Sequence, residues 1–397
     1  MSEQHNNAPG LNFARLGNTG LILAIMGVAV TILSYTVSKE TFLSSYVFSY
    51  MFWVSLTLGC LGLVTLHHTV RGSWGLATLR LFEAGGGPRM LITFLLLFAP
   101  IALGINEVYH HWTHPDPADL ILAHKQGYLN VPFFLARTVL YFLVWIGFSA
   151  YFKRSTRQDD NSPDPRLGAK RSSWGAGGII AFVITMTFAI TDWVMSLDPH
   201  WFSTIYGFLF VIYSSLAALS LATFIITRYK NVEPYKSVVT PALQRDLGNL
   251  LFMFTMLWGY MTVSQFLIIW SGNLPEFTSY FANRQGGFWN LLGAFNVFFA
   301  FFLPWTALLS PRAKRDTNKL MWLAVLIFVM RIPDWYWIII PFFRDHFAWT
   351  DVTCFLSLGA FWFWTFGKEA SQSNLLPAHD QRLVETKKQS EAAHVHA

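Results

Sequence analysis

The chain alternates between long apolar runs and shorter polar segments over most of its length. The hydrocarbon core of a bilayer is about 30 Å thick, so a helix that crosses it needs roughly 20 apolar residues. Runs of this length predict ten membrane-spanning helices, at approximately 19–37, 45–68, 88–108, 131–152, 175–196, 202–227, 247–270, 288–309, 319–341 and 350–367. We therefore predict an all-α polytopic membrane protein with about ten transmembrane helices.

Polar segments at the two ends of the chain give the predicted domain boundaries. We expect residues 1–18 to form an N-terminal segment and residues 19–367 to form the ten-helix membrane domain. Residues 368–397 are expected to form a tail that is mobile unless a partner holds it. Residues 153–174 contain two adjacent aspartates and two prolines, so we expect a polar linker between two halves.

The amino-acid composition supports a membrane protein. Hydrophobic residues make up 53% of the chain and charged residues only 13%, whereas a soluble domain averages about a quarter charged residues. So little charge would leave a soluble globule of this size without a polar surface. The two cysteines, Cys60 and Cys354, belong to no metal-binding or redox motif, so we expect neither a metal site nor a disulfide.

Basic residues are distributed unevenly between the two sides of the predicted membrane. Most of the 28 Lys and Arg residues lie in the N-terminal segment, in the connections after even-numbered helices and in the tail. The connections on the other side contain only Lys39, Lys125, Arg284 and Arg344. Because positively charged loops stay in the cytoplasm, this asymmetry predicts a multi-pass protein with both termini cytoplasmic. It also explains the net charge of +6 without nucleic-acid binding.

Few ionisable residues fall within the predicted helices, where each costs roughly 2.5–3.5 kcal/mol near the centre. Glu107, Arg137 and Asp192 lie near the same end of three consecutive helices, so we expect them to share one depth. Two interpretations remain open for such groups. They form either a static ion pair that holds helices together or part of a proton relay.

A related arrangement occurs on the ninth predicted helix. Arg331 and Asp334 are three residues apart, which places them on one face within pairing distance. Pro333 frees a backbone carbonyl there and favours a hydrated site. Asp192 and Asp334 each precede a tryptophan near the end of a helix, and the two helices cross in the same direction. If helices 2–5 and 6–9 form two similar four-helix bundles flanked by helices 1 and 10, each bundle has an Asp-Trp on its fourth helix, as parallel repeats would; a chance match is the alternative.

The remaining polar and aromatic positions allow fewer conclusions. His67 and His68 end the second helix, where they either complement the helix dipole or form a proton entry point. No histidines face each other from within helices, so we expect no membrane haem. Aromatic residues at 335–337 and 361–366 are typical of lipid-facing positions, with a quinone or lipid groove as the alternative. The seventh predicted helix also contains hydroxyl groups that a proton relay would need, on Thr255, Tyr260, Thr262 and Ser264.

Four segments carry a family resemblance, which extends from about residue 15 to 367. They are HHxxRGxWG (67–75), KxxYLNxxFxxxR (125–137), DWxMSLDPHWxSTIYG (192–207) and SQFxIIWxxNLPE (264–276). These segments resemble those of the F subunits of bacterial alternative complex III, a quinol:electron-acceptor oxidoreductase. The membrane subunits of that complex are similar to the NrfD-like polysulfide reductase family.

The resemblance implies a ten-helix subunit of the bacterial cytoplasmic (inner) membrane without a redox centre of its own. It implies a hetero-oligomeric complex with a paralogous NrfD-like subunit, an iron–sulfur protein and a multihaem cytochrome c. Menaquinone or another quinone would act in the complex, and the haem c groups and iron–sulfur clusters would belong to the partner subunits. By position, the proton-path candidates that it implies are His67, His68, Glu107, Arg137, Asp192, Arg331 and Asp334.

The leading hypothesis is therefore a non-catalytic membrane subunit of a quinol-oxidising complex that contributes a proton path. A purely structural subunit of the same complex is one alternative, in which the buried charges are static. A stand-alone secondary transporter is another, since ten helices, possible repeats and buried charges also describe carriers.

Overall fold

The computed structural model describes residues 12–379, and this part of the chain consists of helices and short connections without a β-strand. The helices are α1 (Phe13–Val37), α2 (Lys39–Val70), α3 (Gly75–Gly85), α4 (Pro88–Leu96), α5 (Ala99–Leu103), α6 (Ile105–Val108), α7 (His110–Thr113), α8 (Leu120–Lys125), α9 (Val131–Asn161), α10 (Pro165–Trp193), α11 (Tyr206–Arg228), α12 (Pro241–Gly272), α13 (Pro275–Ala282), α14 (Gly287–Asn296), α15 (Leu303–Leu309), α16 (Pro311–Arg315), α17 (Thr317–Ile339) and α18 (Trp349–Ser371). A π-helical turn, Val297–Phe302, joins α14 to α15.

Nine helical stretches within residues 12–379 are long and apolar enough to cross a membrane. They are α1, α2, α3 to α5, α9, α10, α11, α12, α14 to α15, and α17. These stretches match the first nine predicted helices in order, which confirms an all-α, multi-pass membrane protein. The helix α18 has 23 residues and is not among the nine, so a tenth crossing stays a prediction.

The helix α2 forms the centre of the molecule. The whole of its most apolar stretch is buried, whereas only 22% of the corresponding stretch of α1 is buried. The helices α10, α11, α17 and α18 all pack against α2. Gly59 lies directly against the backbone carbonyl of Ser214 in α11, and a side chain at this position has no space. The two helices therefore approach each other at backbone distance.

Similar sets of neighbours surround α2 and α11. The helix α2 packs on α3 and α10, while α9 packs on α4 and α10. In the same way α11 packs on α12 and α17, while the α14 to α15 stretch packs on both of those helices. The helices α1 and α18 form an extensively packed pair at the side of α2.

Basic connections collect at one end of the molecule, called here the basic end. Arg71 donates a hydrogen bond to the Gly168 carbonyl, and Ser73 lies 3.3 Å from Asp246. The opposite end contains the longest connection, in which Lys125 donates to the Pro199 carbonyl. The start of α1 and the end of α18 both lie at the basic end, where Phe13 contacts Phe366.

The predicted linker at 153–174 is wrong. The helix α9 continues to Asn161 and α10 begins at Pro165, so only residues 162–164 connect them. Asp164 caps α10 by accepting a hydrogen bond from the Arg166 N–H at 2.9 Å. Asp159 accepts a 2.6 Å bond from Arg171. The charged residues therefore hold two helix ends together.

The third predicted helix, 88–108, differs most from the structure. Its helical stretch begins at Gly75, breaks before Pro88 and again before Pro100, and ends at Leu103. Proline lacks an N–H and favours the first turn of a new helix, which explains both restarts. Residues 104–113 form the short turns α6 and α7.

The expected boundaries at the chain ends also shift. The helix α1 begins at Phe13, within the predicted N-terminal segment, and α18 continues to Ser371. Residues 372–379 lie against the basic end. The rest of the predicted tail, 380–397, and residues 1–11 lie outside the described residues.

Candidate functional site

Arg137 of α9 and Asp192 of α10 form an ion pair whose hydrogen bonding is complete, called here the closed pair. Arg137 donates from Nε to Oδ2 of Asp192 at 2.8 Å and from Nη2 to Oδ1 at 2.9 Å. Tyr141 donates its hydroxyl to Oδ2 at 2.8 Å, and Nη1 of Arg137 donates to the Tyr128 carbonyl at 3.0 Å. Asp192 is fully buried. Both carboxylate oxygens and all three guanidinium nitrogens therefore have partners.

Local sequence positions this pair. Asn130 caps α9 by accepting from the Phe133 N–H at 3.0 Å, and Arg137 follows two turns later. The Tyr128 ring lies 3.8 Å from the guanidinium carbon, so the connection before α9 also covers the cation. The helix ends therefore fix the arginine before it contacts the carboxylate.

Arg331 and Asp334 of α17 form an ion pair whose hydrogen bonding is incomplete, called here the open pair. Nη1 lies 3.0 Å from Oδ2, as the spacing of three residues predicts, and both side chains are buried. This contact lacks hydrogen-bond geometry, and Nε and Nη2 have no hydrogen-bond partner among residues 12–379. The rings of Tyr213 and Trp258 lie 4.7 and 4.6 Å from the guanidinium carbon. Aromatic faces, not oxygen atoms, surround most of this cation.

The open pair lies beside a cavity of about 350 Å³ between α11, α12, α14 and α17. Asp334 lines this cavity together with several aromatic side chains, among them Tyr213, Trp258 and Trp337. Other polar atoms that line it lack hydrogen-bond partners within the described chain, among them Trp258 Nε1, Thr262 Oγ1, Gln265 Oε1 and Asn296 Oδ1.

Such buried polar atoms are binding points for water in a cavity whose lining is otherwise largely apolar. An unsatisfied buried donor or acceptor costs about 1–3 kcal/mol, and a bridging water removes most of that cost. At about 30 Å³ for each water, the volume holds on the order of ten molecules. The hydrated site expected next to Pro333 stays a prediction.

The backbone around the cavity is irregular on two sides. Asn296 ends α14 and is followed by the π-helical turn, while its Nδ2 donates to the Pro333 carbonyl at 3.4 Å. A π-helical turn and an internal proline each disturb the regular bond ladder of a helix, and π-helical turns occur frequently at functional sites. The Pro333 carbonyl is thus partly satisfied by a side chain.

Arg284 is a buried arginine that the sequence placed in an exposed connection. It donates to the carbonyls of Tyr280, Trp337 at 3.0 Å and Ile338 at 2.7 Å, and its guanidinium carbon lies 3.7 Å from the Tyr280 ring. Tyr280 and Trp337 are both walls of the cavity. Arg284 therefore fixes two cavity walls through backbone contacts that no sequence pattern signals.

Glu107 is not part of either ion pair. Its side chain is more than half exposed in α6 and lies 3.9 Å from Lys39. The helical stretch before Glu107 ends at Leu103, and the expectation that Glu107 shares one depth with Arg137 and Asp192 stays a prediction. Tyr260, another sequence candidate, is 66% exposed on the outer side of α12, whereas Thr255 is buried.

His67 and His68 line a second cavity of about 600 Å³ at the basic end. The His68 ring stacks on Phe152 with 4.9 Å between centroids, and its Nε2 has no hydrogen-bond partner in the described chain. Arg80, also buried, donates to Glu83 at 2.7 Å and to Asp160 at 2.6 Å. The histidines thus lie near a charged cluster that the sequence did not predict.

Two further clusters of charged side chains were not predicted from the sequence. Asp351 accepts from Ser45 at 2.7 Å, from Tyr336 at 3.2 Å and from Arg344. Glu369 lies 3.1 Å from Arg89 and also pairs with Lys153. Asp351 and Glu369 both lie in α18, where they attach this helix to its neighbours. Ser45, Arg89 and Lys153 lie more than 200 residues from their acidic partners, so these contacts leave no local sequence signal.

At the opposite end, Asp119 caps α8 outside the membrane-spanning stretches. Its Oδ1 accepts from the N–H groups of Ile121 and Leu122, and its Oδ2 lies 2.6 Å from Nε2 of His200. The Leu122 hydrogen bond, followed by the His200 contact, holds the pKa of Asp119 below its usual range.

Comparisons with known proteins add no further assignment. No protein-family model matches the chain, and no curated protein matches it either. Within residues 12–379, no group of three or more His, Cys, Asp or Glu side chains is placed to hold a metal ion.

Proposed function

We propose that this chain is an integral membrane subunit of a quinol-oxidising electron-transfer complex and contributes a proton path to it. In this proposal the complex is of the alternative complex III type, which the sequence motifs resemble. Its paralogous NrfD-like subunit holds the quinol, and a multihaem cytochrome c and an iron–sulfur protein carry the electrons. The chain lies in the bacterial inner membrane with both termini in the cytoplasm, and the basic end faces that side.

The proposal includes ten crossings arranged as two four-helix bundles with a flanking pair. Trp349 at the start of α18 donates to Ser38 at 3.1 Å at one end of α1, and Phe366 contacts Phe13 at the other end. Such contacts support α18 as a tenth crossing antiparallel to α1. The repeated packing order around α2 and α11 supports the two bundles.

One observation carries the proton path, namely the incomplete hydrogen bonding of the Arg331–Asp334 pair beside a cavity. A buried guanidinium needs acceptors, and none of its three nitrogens has a hydrogen-bond partner in the described chain. In this proposal water in the cavity reaches the Asp334 carboxylate, which lines that space, and Asp334 lies 3.0 Å from the guanidinium. A carboxylate that shares water with its surroundings exchanges protons, whereas one closed by three donors does not.

The single contact between Arg331 and Asp334 also favours exchange. When Asp334 takes up a proton from cavity water, its attraction to Arg331 weakens. The cation then remains stabilised by the faces of Tyr213 and Trp258. Releasing the proton restores the ion pair, so Asp334 accepts and returns protons without leaving an unsupported charge.

Membership of the complex is tested by purifying the tagged chain in mild detergent and analysing the copurifying proteins by mass spectrometry. We expect multihaem cytochrome, iron–sulfur and NrfD-like subunits in fixed ratio. A chain that emerges alone, stable and monodisperse contradicts the proposal and makes a stand-alone transporter the next function to test by substrate uptake.

A further inference from the structure

The segment after α18 folds back over the basic end. Leu375 and Leu376 are only 5% and 7% exposed, so both anchor in the protein. The Ala378 N–H donates to Oδ1 of Asp160 at 3.1 Å, and Nε2 of His379 donates to the Asp160 backbone carbonyl at 3.1 Å. Residues 375–379 are thus held by two apolar anchors and by one residue of α9.

Asp160 connects this segment to a buried charge cluster. Its second carboxylate oxygen, Oδ2, accepts a 2.6 Å hydrogen bond from Nη2 of Arg80. Nη1 of Arg80 donates to Glu83 at 2.7 Å, and both side chains of this α3 pair are buried. One carboxylate therefore bridges the C-terminal segment and an interior cation.

The same segment forms one side of the 600 Å³ cavity. Pro377 and His379 line it from the segment, and His68 and Arg80 line it from α2 and α3. The His68 ring is more than nine-tenths buried, and its Nε2 lacks a protein partner in the described chain. A buried imidazole nitrogen without a partner requires water from this cavity. Pro377 and His379 of the C-terminal segment therefore share this cavity with His68.

We propose that residues 375–379 form a strap that restricts access from the basic end to His68 and the Arg80–Glu83 pair. Few interactions hold the strap, whereas the helices beneath it are packed along their lengths. The strap therefore opens by local release without unfolding any helix. This inference does not depend on proton transfer at Asp334, and its test measures access alone.

The test places a cysteine on the cavity wall as Thr156→Cys, a near-isosteric change in α9. The native Cys60 and Cys354 are buried, and the parent protein gives their background. A small water-soluble methanethiosulfonate is applied in membrane vesicles that expose the basic end. We expect labelling to be roughly tenfold faster when the chain is truncated after Asn374 than when it is truncated after His379. Equal rates in the two truncations overturn the proposal.

A single-residue pair covers the case in which the shorter truncation does not fold. Ala378→Pro removes the N–H that Asp160 accepts, and Ala378→Ser keeps it. In the Thr156→Cys background, the proline variant is expected to label several-fold faster than the serine variant. If both variants label as slowly as the parent, the strap does not control access.

Discussion

The Arg137–Asp192 and Arg331–Asp334 pairs contain the same two charged groups in different surroundings. In the first pair, the carboxylate accepts hydrogen bonds from two guanidinium nitrogens and a tyrosine hydroxyl. In the second, one contact joins the charges, and a cavity with unpartnered polar atoms lies beside them. The two pairs therefore differ in how completely their charges are hydrogen-bonded. In our proposal the complete set of partners makes the first pair structural, and the incomplete set beside a cavity lets the second pair exchange protons.

The largest expected difference concerns the loss of each arginine. Arg137→Met leaves Asp192 buried without its cation, which costs about 3–5 kcal/mol of folding stability. Arg331→Met is expected to cost less, because water in the cavity solvates Asp334. Thermal unfolding of the purified variants measures both. A greater loss in Arg331→Met than in Arg137→Met would reverse the roles given to the two pairs.

The tyrosines next to the two carboxylates sharpen the same comparison. Tyr141→Phe removes a 2.8 Å hydrogen bond to a charged oxygen, which contributes about 1.5–3 kcal/mol. Tyr213→Phe keeps the aromatic face over Arg331, and water replaces the lost hydroxyl. We expect a clear fall in melting temperature for Tyr141→Phe and a much smaller one for Tyr213→Phe. Equal shifts would argue against water beside Asp334.

A substitution that fills the cavity tests the role of its water without changing any charge. Gly293 lines the cavity, and a Cβ there meets only the Trp337 ring at ordinary contact distance. Gly293→Leu is expected to displace water and slow proton transfer several-fold, as measured in vesicles. Gly147→Leu, at a site of α9 with open space around it, is the matched control. Unchanged proton transfer in Gly293→Leu indicates that the cavity water takes no part.

The smallest effect is expected at Asp119, the carboxylate that caps α8 outside the membrane-spanning stretches. Folding lowers the pKa of Asp119, so its contribution is present above the unfolded pKa of about 3.9 and is lost as pH falls through the folded pKa. Asp119→Asn should remove this acid sensitivity. Hydrogen exchange of the α8 amides, corrected for the intrinsic rate, measures it below about pH 4. Identical pH profiles for the two proteins contradict the assignment.

Sequence alone predicted those features that depend on local spacing. Apolar run length located the crossings, and the three-residue spacing of Arg331 and Asp334 placed them in contact. Arg137 and Asp192 were expected at one depth, and the structure adds their bidentate contact. These features follow from helix geometry, which a sequence displays directly.

The features that sequence did not predict depend on tertiary packing. Pro88 and Pro100 divide the predicted third helix, and Glu107 lies in a separate short turn with its side chain more than half exposed. Arg284 is satisfied by carbonyls of α17, which a sequence does not show. The linker at 153–174 failed because its charges pair across α3, α9 and α10. In each case a polar residue found a partner from another part of the chain.

The most direct test of the central claim measures protons translocated per electron in vesicles that contain the complete complex. Asp334→Asn and Asp192→Asn form a matched pair, since each neutralises one carboxylate without a change in size. We predict that Asp334→Asn lowers the ratio while quinol oxidation continues, and that Asp192→Asn lowers the yield of assembled complex but leaves the ratio normal. A normal ratio in Asp334→Asn, or a loss confined to Asp192→Asn, would contradict the account.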